Sequence, residues 1–246
     1  AKARQWKWST ISKAMSNVSG ALRELPLYTN VNSPIDVSVH PEWRAASRTA
    51  HRYERETPPN PPTPVTSKEM RAAEKALAHD PAARLYLKMV WAFLARPGDI
   101  GNLTPEAIHL GEQVSPGIRR VAITIRQGKG ARVRGPYTVP STMEENDVQE
   151  LKKLMERQKG TRIFADLPRV KDSVRTALRK EQPLSALPSL RKGAARHMAQ
   201  SGATLEEVGL LLGHTRKDTT TRYLGYGENL ASDHRQVQAK TTALLH

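Results

Sequence analysis

Cysteine is absent, which excludes disulfides, thiol nucleophiles and cysteine-built zinc sites and leaves the redox compartment open. Long apolar runs are absent too. The longest, around residues 90–95 and 208–212, are far too short to cross a bilayer, and no apolar stretch of signal-peptide type opens the chain. Acidic residues are in deficit: 24 Asp and Glu stand against 39 Lys and Arg, a formal net charge of +15. A surplus of that size draws polyanions and speeds encounter with them, although a merely solvated surface has the same signature. The cations are spread along the chain and not gathered on one amphipathic helix, which disfavours a membrane surface as the polyanion. A soluble, intracellular protein with no membrane partner is the expectation.

At 246 residues the chain suits one large domain or two smaller ones. Residues 57–65, Thr-Pro-Pro-Asn-Pro-Pro-Thr-Pro-Val, cannot form a helix or a central strand and read as a semi-rigid linker. It divides a first piece, residues 1–56, from a larger one at 66–227 that is followed by a tail at 228–246. In the first piece Ile11, Met15, Val18, Leu22 and Leu25 trace one face of a helix. A second helix is expected over residues 43–56, where Arg44, Arg48, Arg52 and Arg55 form a basic stripe suited to DNA and equally to solvent.

The larger piece opens on Thr66-x-x-Glu69, a capping box ahead of a helix to about residue 78. A second helix is expected over about 82–95. Val121, Ile123 and Ile125 alternate as in a strand over 118–126. Gly128-Lys129-Gly130 is then predicted to turn the chain into a return strand at 133–139. Ser141-x-x-Glu144 reads as the cap of a helix ending near Gly160. Further helices are expected over 170–180, 191–201 and 204–212, the last with its own box Thr204-x-x-Glu207 and with Gly213 as its stop. The tail reads as partly helical through Val237, Ala239, Ala243, Leu244 and Leu245. The fold class is mainly α with one small antiparallel sheet, that is, α+β.

Residues 188–223 carry the chemistry. Pro188-Ser189-Leu190-Arg191-Lys192-Gly193-Ala194-Ala195 is followed by His214, 23 positions after Arg191, and then by Tyr223, 9 positions after His214. An arginine, a histidine and a tyrosine in that order, in a basic chain, point to a phosphodiester that Arg191 would hold and Tyr223 would attack. The stretch from Leu190 through Leu212-Gly213-His214-Thr215 to Thr221-Arg222-Tyr223 resembles the C-terminal box of the tyrosine recombinases, the phage-integrase family. Ala95-Arg96-Pro97-Gly98-Asp99-Ile100, with Leu103, resembles that family's first arginine box. Gln127-Gly128-Lys129-Gly130, with Tyr137-Thr138-Val139-Pro140, is similar to the hairpin that carries its lysine. The landmarks stand in the family's order. The local form Ser-Leu-Arg-Lys-Gly-Ala-Ala resembles integrases of eukaryotic mobile elements, DIRS-like retroelements and Cryptons, somewhat more than those of phages.

The resemblance implies a catalytic domain preceded by a small helical DNA-clamping domain. The first piece is short for the latter, so a truncated or reduced form is expected. It also implies double-stranded DNA as partner, self-association into a dimer or tetramer, and a tail exchanged between protomers or folded back on its own domain. No metal or other cofactor is expected. The protein would lie with the DNA, in the nucleus if it comes from a eukaryotic element.

Each residue type suits the role implied for it. Arginine stays charged and offers a phosphate two parallel hydrogen bonds, so Arg96 and Arg191 are assigned to the clamp. Asp99 would orient Arg96; a plain ion pair between them explains the spacing as well. Tyr223 would be the nucleophile, its phenol of ordinary pKa about 10 activated by nearby cations; Tyr226 competes but lacks the nine-residue spacing. Lys129 would protonate the leaving oxygen, with Arg132 and Arg134 as substitutes or DNA contacts. His214 would donate to the phosphate, and Lys192 would contact DNA. His197 has no spacing support and reads as packing or surface. The family usually has a histidine where this chain has Pro188, which can neither donate nor accept a proton through its side chain. Ser185 and Ser189 are near in sequence, with no spacing argument for either.

That departure keeps alternatives open. A silent DNA-binding protein on the same scaffold would explain Pro188 but not the four intact landmarks. A type IB topoisomerase-like enzyme shares the chemistry, but this chain is short for one. A helix-turn-helix regulator could use residues 204–222 but leaves the upstream boxes unexplained.

Overall fold

Hydroxyls and carboxylates at helix starts set much of this architecture, and they do so in two compact units, Ala1–Pro61 and Pro62–His246. The structure, a computed structural model, describes residues 8–27, 33–56, 63–158, 161–214 and 217–224, with the side chains at 54–56, 129, 133, 134, 218 and 222 outside that description. The predicted tail at 228–246, Tyr226, the side chain of Arg55 and most of the proline linker therefore lie outside the described residues.

In the first unit, α1 (Trp8–Glu24) packs against α2 (Pro41–Glu56). Trp8 stacks on Tyr53 with ring centroids 4.5 Å apart. The chain between the helices is held by Asp36, whose carboxylate accepts from the Ser38 backbone N–H at 3.0 Å and from Arg23 at 3.2 Å. Arg44, Arg48 and Arg52 are exposed along α2, and Arg44 Nε donates to the Ser38 carbonyl at 2.8 Å.

In the second unit, α3 (Ser67–Ala76) begins at the predicted capping box: Thr66 Oγ1 accepts from the Glu69 N–H, and the Glu69 carboxylate accepts from the Thr66 N–H at 2.7 Å. The central helix α4 (Pro81–Ala92) is buried along Ala83, Leu85, Tyr86, Leu87, Met89 and Val90. It packs against α7 (Glu145–Arg157), α8 (Leu167–Glu181) and α9 (Leu187–Gln200). Chain closeness at one point is extreme: a Cβ on Gly193 of α9 would lie 1.9 Å from the Val65 carbonyl oxygen. Gly193→Ala is therefore expected to cost about 2–4 kcal/mol, because backbone on both sides must separate. A urea midpoint equal to the wild type's would refute that reading of the contact.

A three-stranded antiparallel sheet, β1 (Ile108–Ser115), β2 (Ile118–Ile125) and β3 (Tyr137–Glu144), lies beside α4 and α7 in the order β1-β2-β3. Its core face carries Val121, Ile123 and Ile125 from β2 and Val139 and Met143 from β3. Two expectations fail here. The segment after Gly128 is a short helix, α6 (Lys129–Arg134), and the return strand starts only at Tyr137, opposite Ile125. Ser141 and Glu144 do not cap a helix; they pair with Val121 and Ile118 in the sheet. Ser141 Oγ donates to the Ala92 carbonyl at 2.7 Å, closing the end of α4. The start of α7 is held instead by Asp147, fully buried, which receives Lys88 at 2.5 Å and Arg84 at 3.2 Å from α4. A ladder plus a buried ion cluster outweighs one local cap.

The C-terminal part has α10 (Leu205–Leu212) with the predicted box at Thr204 and Glu207, then α11 (Lys217–Leu224). A second apolar cluster of Leu94, Ala194, Ala195, Val208, Leu212 and Leu224 binds α9, α10 and α11 together. No helix among the described residues is long and apolar enough to cross a membrane.

Candidate active site

Arg191 rises from α9, which begins Leu187-Pro188. Proline fits a first turn because that N–H has no helical partner to lose. Pro188 is exposed, and Ser189 Oγ serves the helix start by accepting from the Ala186 N–H at 3.0 Å. Arg191 is 4% exposed, and its Nη2 donates to the Leu212 carbonyl at 2.6 Å. That carbonyl belongs to the last turn of α10, where helix carbonyls lack partners of their own. The guanidinium thus ties two helices together and keeps its remaining donors for the site.

Gly213 then takes a left-handed conformation, φ 64°, that ends α10 as predicted. His214 follows. Its Nδ1 lies 3.0 Å from Thr220 Oγ1 on α11, and its ring meets the Tyr223 ring edge-on with centroids 5.4 Å apart. Arg191 Cζ lies 5.8 Å from the Tyr223 ring centroid. Arg196 Nε donates to the Leu224 carbonyl at 2.8 Å, so α9 also grips the end of α11.

Arg96 lies just beyond the end of α4. After α4 ends, Leu94 adopts φ 47°, unusual for a residue with a branched side chain and held there by burial. Arg96 then precedes α5 (Pro97–Gly101), and Tyr86 donates its hydroxyl hydrogen to the Pro97 carbonyl at 2.6 Å, fixing that turn. Asp99, in the first turn of α5, is 4% exposed and sits 3.7 Å from Arg96 Nη1. The turn bearing Lys129 packs on this pair. A Cβ on Gly128, whose φ is 112°, would lie 2.4 Å from Asp99 Oδ1, and one on Gly130 would lie 2.8 Å from Arg96 Nη1. Glycine on both sides of Lys129 is what lets the turn approach so closely. The Lys129 and Arg134 side chains themselves lie outside the described residues; Arg132 is exposed on α6 and Lys192 is half-buried on α9.

Electrostatics join the two halves. Burial pushes the Asp99 carboxyl up, while Arg96 and Arg191 pull it down. Burial holds the Arg191 guanidinium below its ordinary value, with Arg96 acting the same way and Tyr223, Tyr137 and Asp99 opposing. Burial also raises the Tyr223 phenol, against the charges of Arg191 and Arg96 and a hydrogen bond from Arg191. The result is a cluster of two guanidinium groups, one buried carboxylate, an imidazole and a phenol. Paired guanidinium groups of this kind suit the oxygens of a tetrahedral anion.

The structure therefore brings together Arg96, Asp99, Arg191, His214 and Tyr223 and lays the backbone of Lys129 against them. Arg44, Arg48 and Arg52 belong to the other unit. His197 is exposed, its ring 6.0 Å from Trp91. Thr220, Arg196 and the hydroxyl of Tyr137 were not singled out from the sequence. Thr220 is one of three consecutive threonines, and only its three-residue offset from Tyr223 hints that it shares a helix face. Among the described residues no group of three or more His, Asp or Glu side chains is arranged to hold a metal ion.

No family model and no curated relative matches this chain. Solved structures do. The chain is similar to the crystal structure of XerA recombinase, with TM-score 0.50 and 17% identity over 91% of this chain and 83% of that one. It is similar to a lambda integrase dimer bound to a COC′ core site, with TM-score 0.56 and 18% identity over 89% of this chain and 59% of that one. It is also similar to XerH site-specific recombinase bound to palindromic difH substrate in a post-cleavage complex, with TM-score 0.55 and 14% identity over 96% and 73%. The fold is that of a tyrosine-recombinase catalytic domain, α+β with a small antiparallel sheet.

Proposed function

We propose that this chain is a site-specific DNA recombinase or integrase that cuts and rejoins strands through Tyr223. The observation that carries the reading is the meeting of two guanidinium groups, separated by 95 positions in sequence (191 − 96), around one phenol. Arg96 and Arg191 hold the non-bridging oxygens of the scissile phosphate and offset the charge that builds on them. Asp99 keeps Arg96 in place. The Tyr223 oxygen attacks phosphorus as the bond to the 5′-oxygen breaks. The phenol passes its proton to the His214 imidazole, and the departing 5′-oxygen takes one from Lys129. The product is a 3′-phosphotyrosyl bond and a free 5′-hydroxyl. One phosphate ester replaces another, so the step needs neither ATP nor a metal.

The exposed arginines of α2, with Arg132, Arg134 and Lys192, suit a duplex backbone. Double-stranded DNA is the partner this reading requires, with self-association into a dimer or tetramer on it and a nuclear or nucleoid location following the DNA. The form around Arg191 supports the eukaryotic mobile-element branch. A silent DNA binder is the second reading, favoured only by Pro188, an exposed residue with no proton to give.

The test is a pool of nicked duplexes of randomised core sequence that trap the cut strand. Denaturant-resistant adducts should form, carry DNA on Tyr223 and be indifferent to EDTA. Specific binding without any adduct would favour the silent DNA binder, and dependence on a divalent ion would reject this mechanism.

A further inference from the structure

His214 is held at its main chain and at its ring, and both holds meet at Gly209. The His214 N–H donates to the Gly209 carbonyl at 2.9 Å, directly after the left-handed turn at Gly213. At the ring, Nδ1 lies 3.0 Å from Thr220 Oγ1. Thr220 is 1% exposed and packs on the same glycine: a Cβ on Gly209 would lie 3.0 Å from its Oγ1 and 3.9 Å from its Cβ and Cγ2. Glycine at 209 is therefore what lets α11 bring this hydroxyl so close to α10. Its neighbour on α11 behaves differently. Thr221 Oγ1 donates to the Lys217 carbonyl at 3.2 Å, the usual bond of a helical threonine back to its own helix. Thr220 Oγ1 reaches off its helix to the imidazole instead.

Histidine turns easily about χ2, so an unanchored ring would sample several orientations. A hydroxyl suits the anchoring place because it both donates and accepts. It can give its hydrogen to a bare Nδ1 or take one from Nδ1–H, and so it holds the ring in either tautomer and in the imidazolium. We propose that Thr220 is a positioning residue for strand cleavage: its hydroxyl fixes the His214 ring by Nδ1, which makes Nε2 the nitrogen that takes the Tyr223 proton. The ring then ends as an imidazolium whose Nδ1–H donates to Oγ1. Tyr223 stands three residues after Thr220 on α11, and its ring meets the imidazole edge-on at 5.4 Å. One turn of one helix thus sets the phenol and the group that orients its base. The inference rests on the proposed strand-cleavage reading, and the two fail separately. No adduct from the wild type sinks that reading, whereas this one is read from ratios between variants.

Thr220→Val keeps the shape of the side chain and removes the hydroxyl. Single-turnover adduct formation on a duplex recovered from the nicked pool should slow by about 10–10²-fold, with unchanged duplex affinity. Thr220→Ser returns the hydroxyl without the methyl and should recover most of the rate. The decisive comparison is a double-mutant cycle with His214→Ala, which is itself expected to cleave slowly. Adding Thr220→Val to that variant should cost nothing further, because the threonine acts only through the imidazole. A role in packing α11 would instead give the same proportional loss with or without the imidazole, and that result overturns the proposal. So does a valine variant as fast as the wild type, or a serine variant as slow as the valine one.

Discussion

Tyr223→Phe is expected to abolish the covalent DNA adduct while leaving DNA affinity and thermal unfolding close to the wild type's. The phenyl ring keeps its edge contact with His214 and its place under the Arg191 guanidinium. Only the phenol oxygen, the proposed nucleophile, is lost. With the proposed nucleophile gone, the adduct-forming rate should fall by at least about 10⁴-fold, as for other covalent catalysts deprived of theirs. The same oxygen sets the pH dependence. Burial raises its pKa, and the two arginines offset only part of that rise. At neutral pH the group is a phenol, and the reactive phenolate fraction grows as pH increases toward the pKa. The wild-type rate should therefore climb from neutral into mildly alkaline solution. Undiminished adduct in the phenylalanine variant, carried on another residue, would contradict the assignment.

Arg191 has the second largest expected effect, and it is a double one. Its charge is 4% exposed, and its Nη2 satisfies the Leu212 carbonyl at 2.6 Å. Arg191→Ala leaves that carbonyl without its donor, opens a cavity between α9 and α10 and removes half of the clamp. Folding should weaken by about 2–4 kcal/mol, and adduct formation should become undetectable. Arg191→Lys separates the two consequences. A lysine retains the charge but not the planar fork, so cleavage should fall about 10²–10³-fold with a smaller loss of stability. Arg96, with 31% of its side chain exposed, makes a useful contrast: Arg96→Ala should cost cleavage and little folding free energy. If Arg191→Ala and Arg96→Ala unfold at the same urea concentration, the buried tie to Leu212 contributes nothing.

Much of this was legible along the chain because it depends on neighbours in sequence. The capping boxes at Thr66 and Thr204 work within one helical turn, and both form. Gly213 ends α10 through its own backbone freedom. Pro188 fits the first turn of α9 for an equally local reason. The third box at Ser141 obeys the same rule on paper and fails, because its residues are taken by pairing with β2. β1 escaped notice since most of its residues are exposed and show no apolar alternation. The loop after β2 was read as a plain turn, yet it closes into α6 and lies on Asp99 and Arg96.

The sequence by itself determined helices α1–α4 and α7–α10, the α+β class, the basic character and the residue types able to hold a phosphate and attack it; the short helices α5, α6 and α11 carried no such signal. Only tertiary structure decided that Arg96, Asp99, Arg191, His214 and Tyr223 come together and that Thr220 lies against the imidazole. The division has a simple cause. Caps, turns and helix faces arise from contacts a few residues apart, and those spacings are written in the chain. Convergence of side chains from α5, α9, α11 and β3 depends on how buried surfaces fit together, and no spacing in the chain encodes that fit.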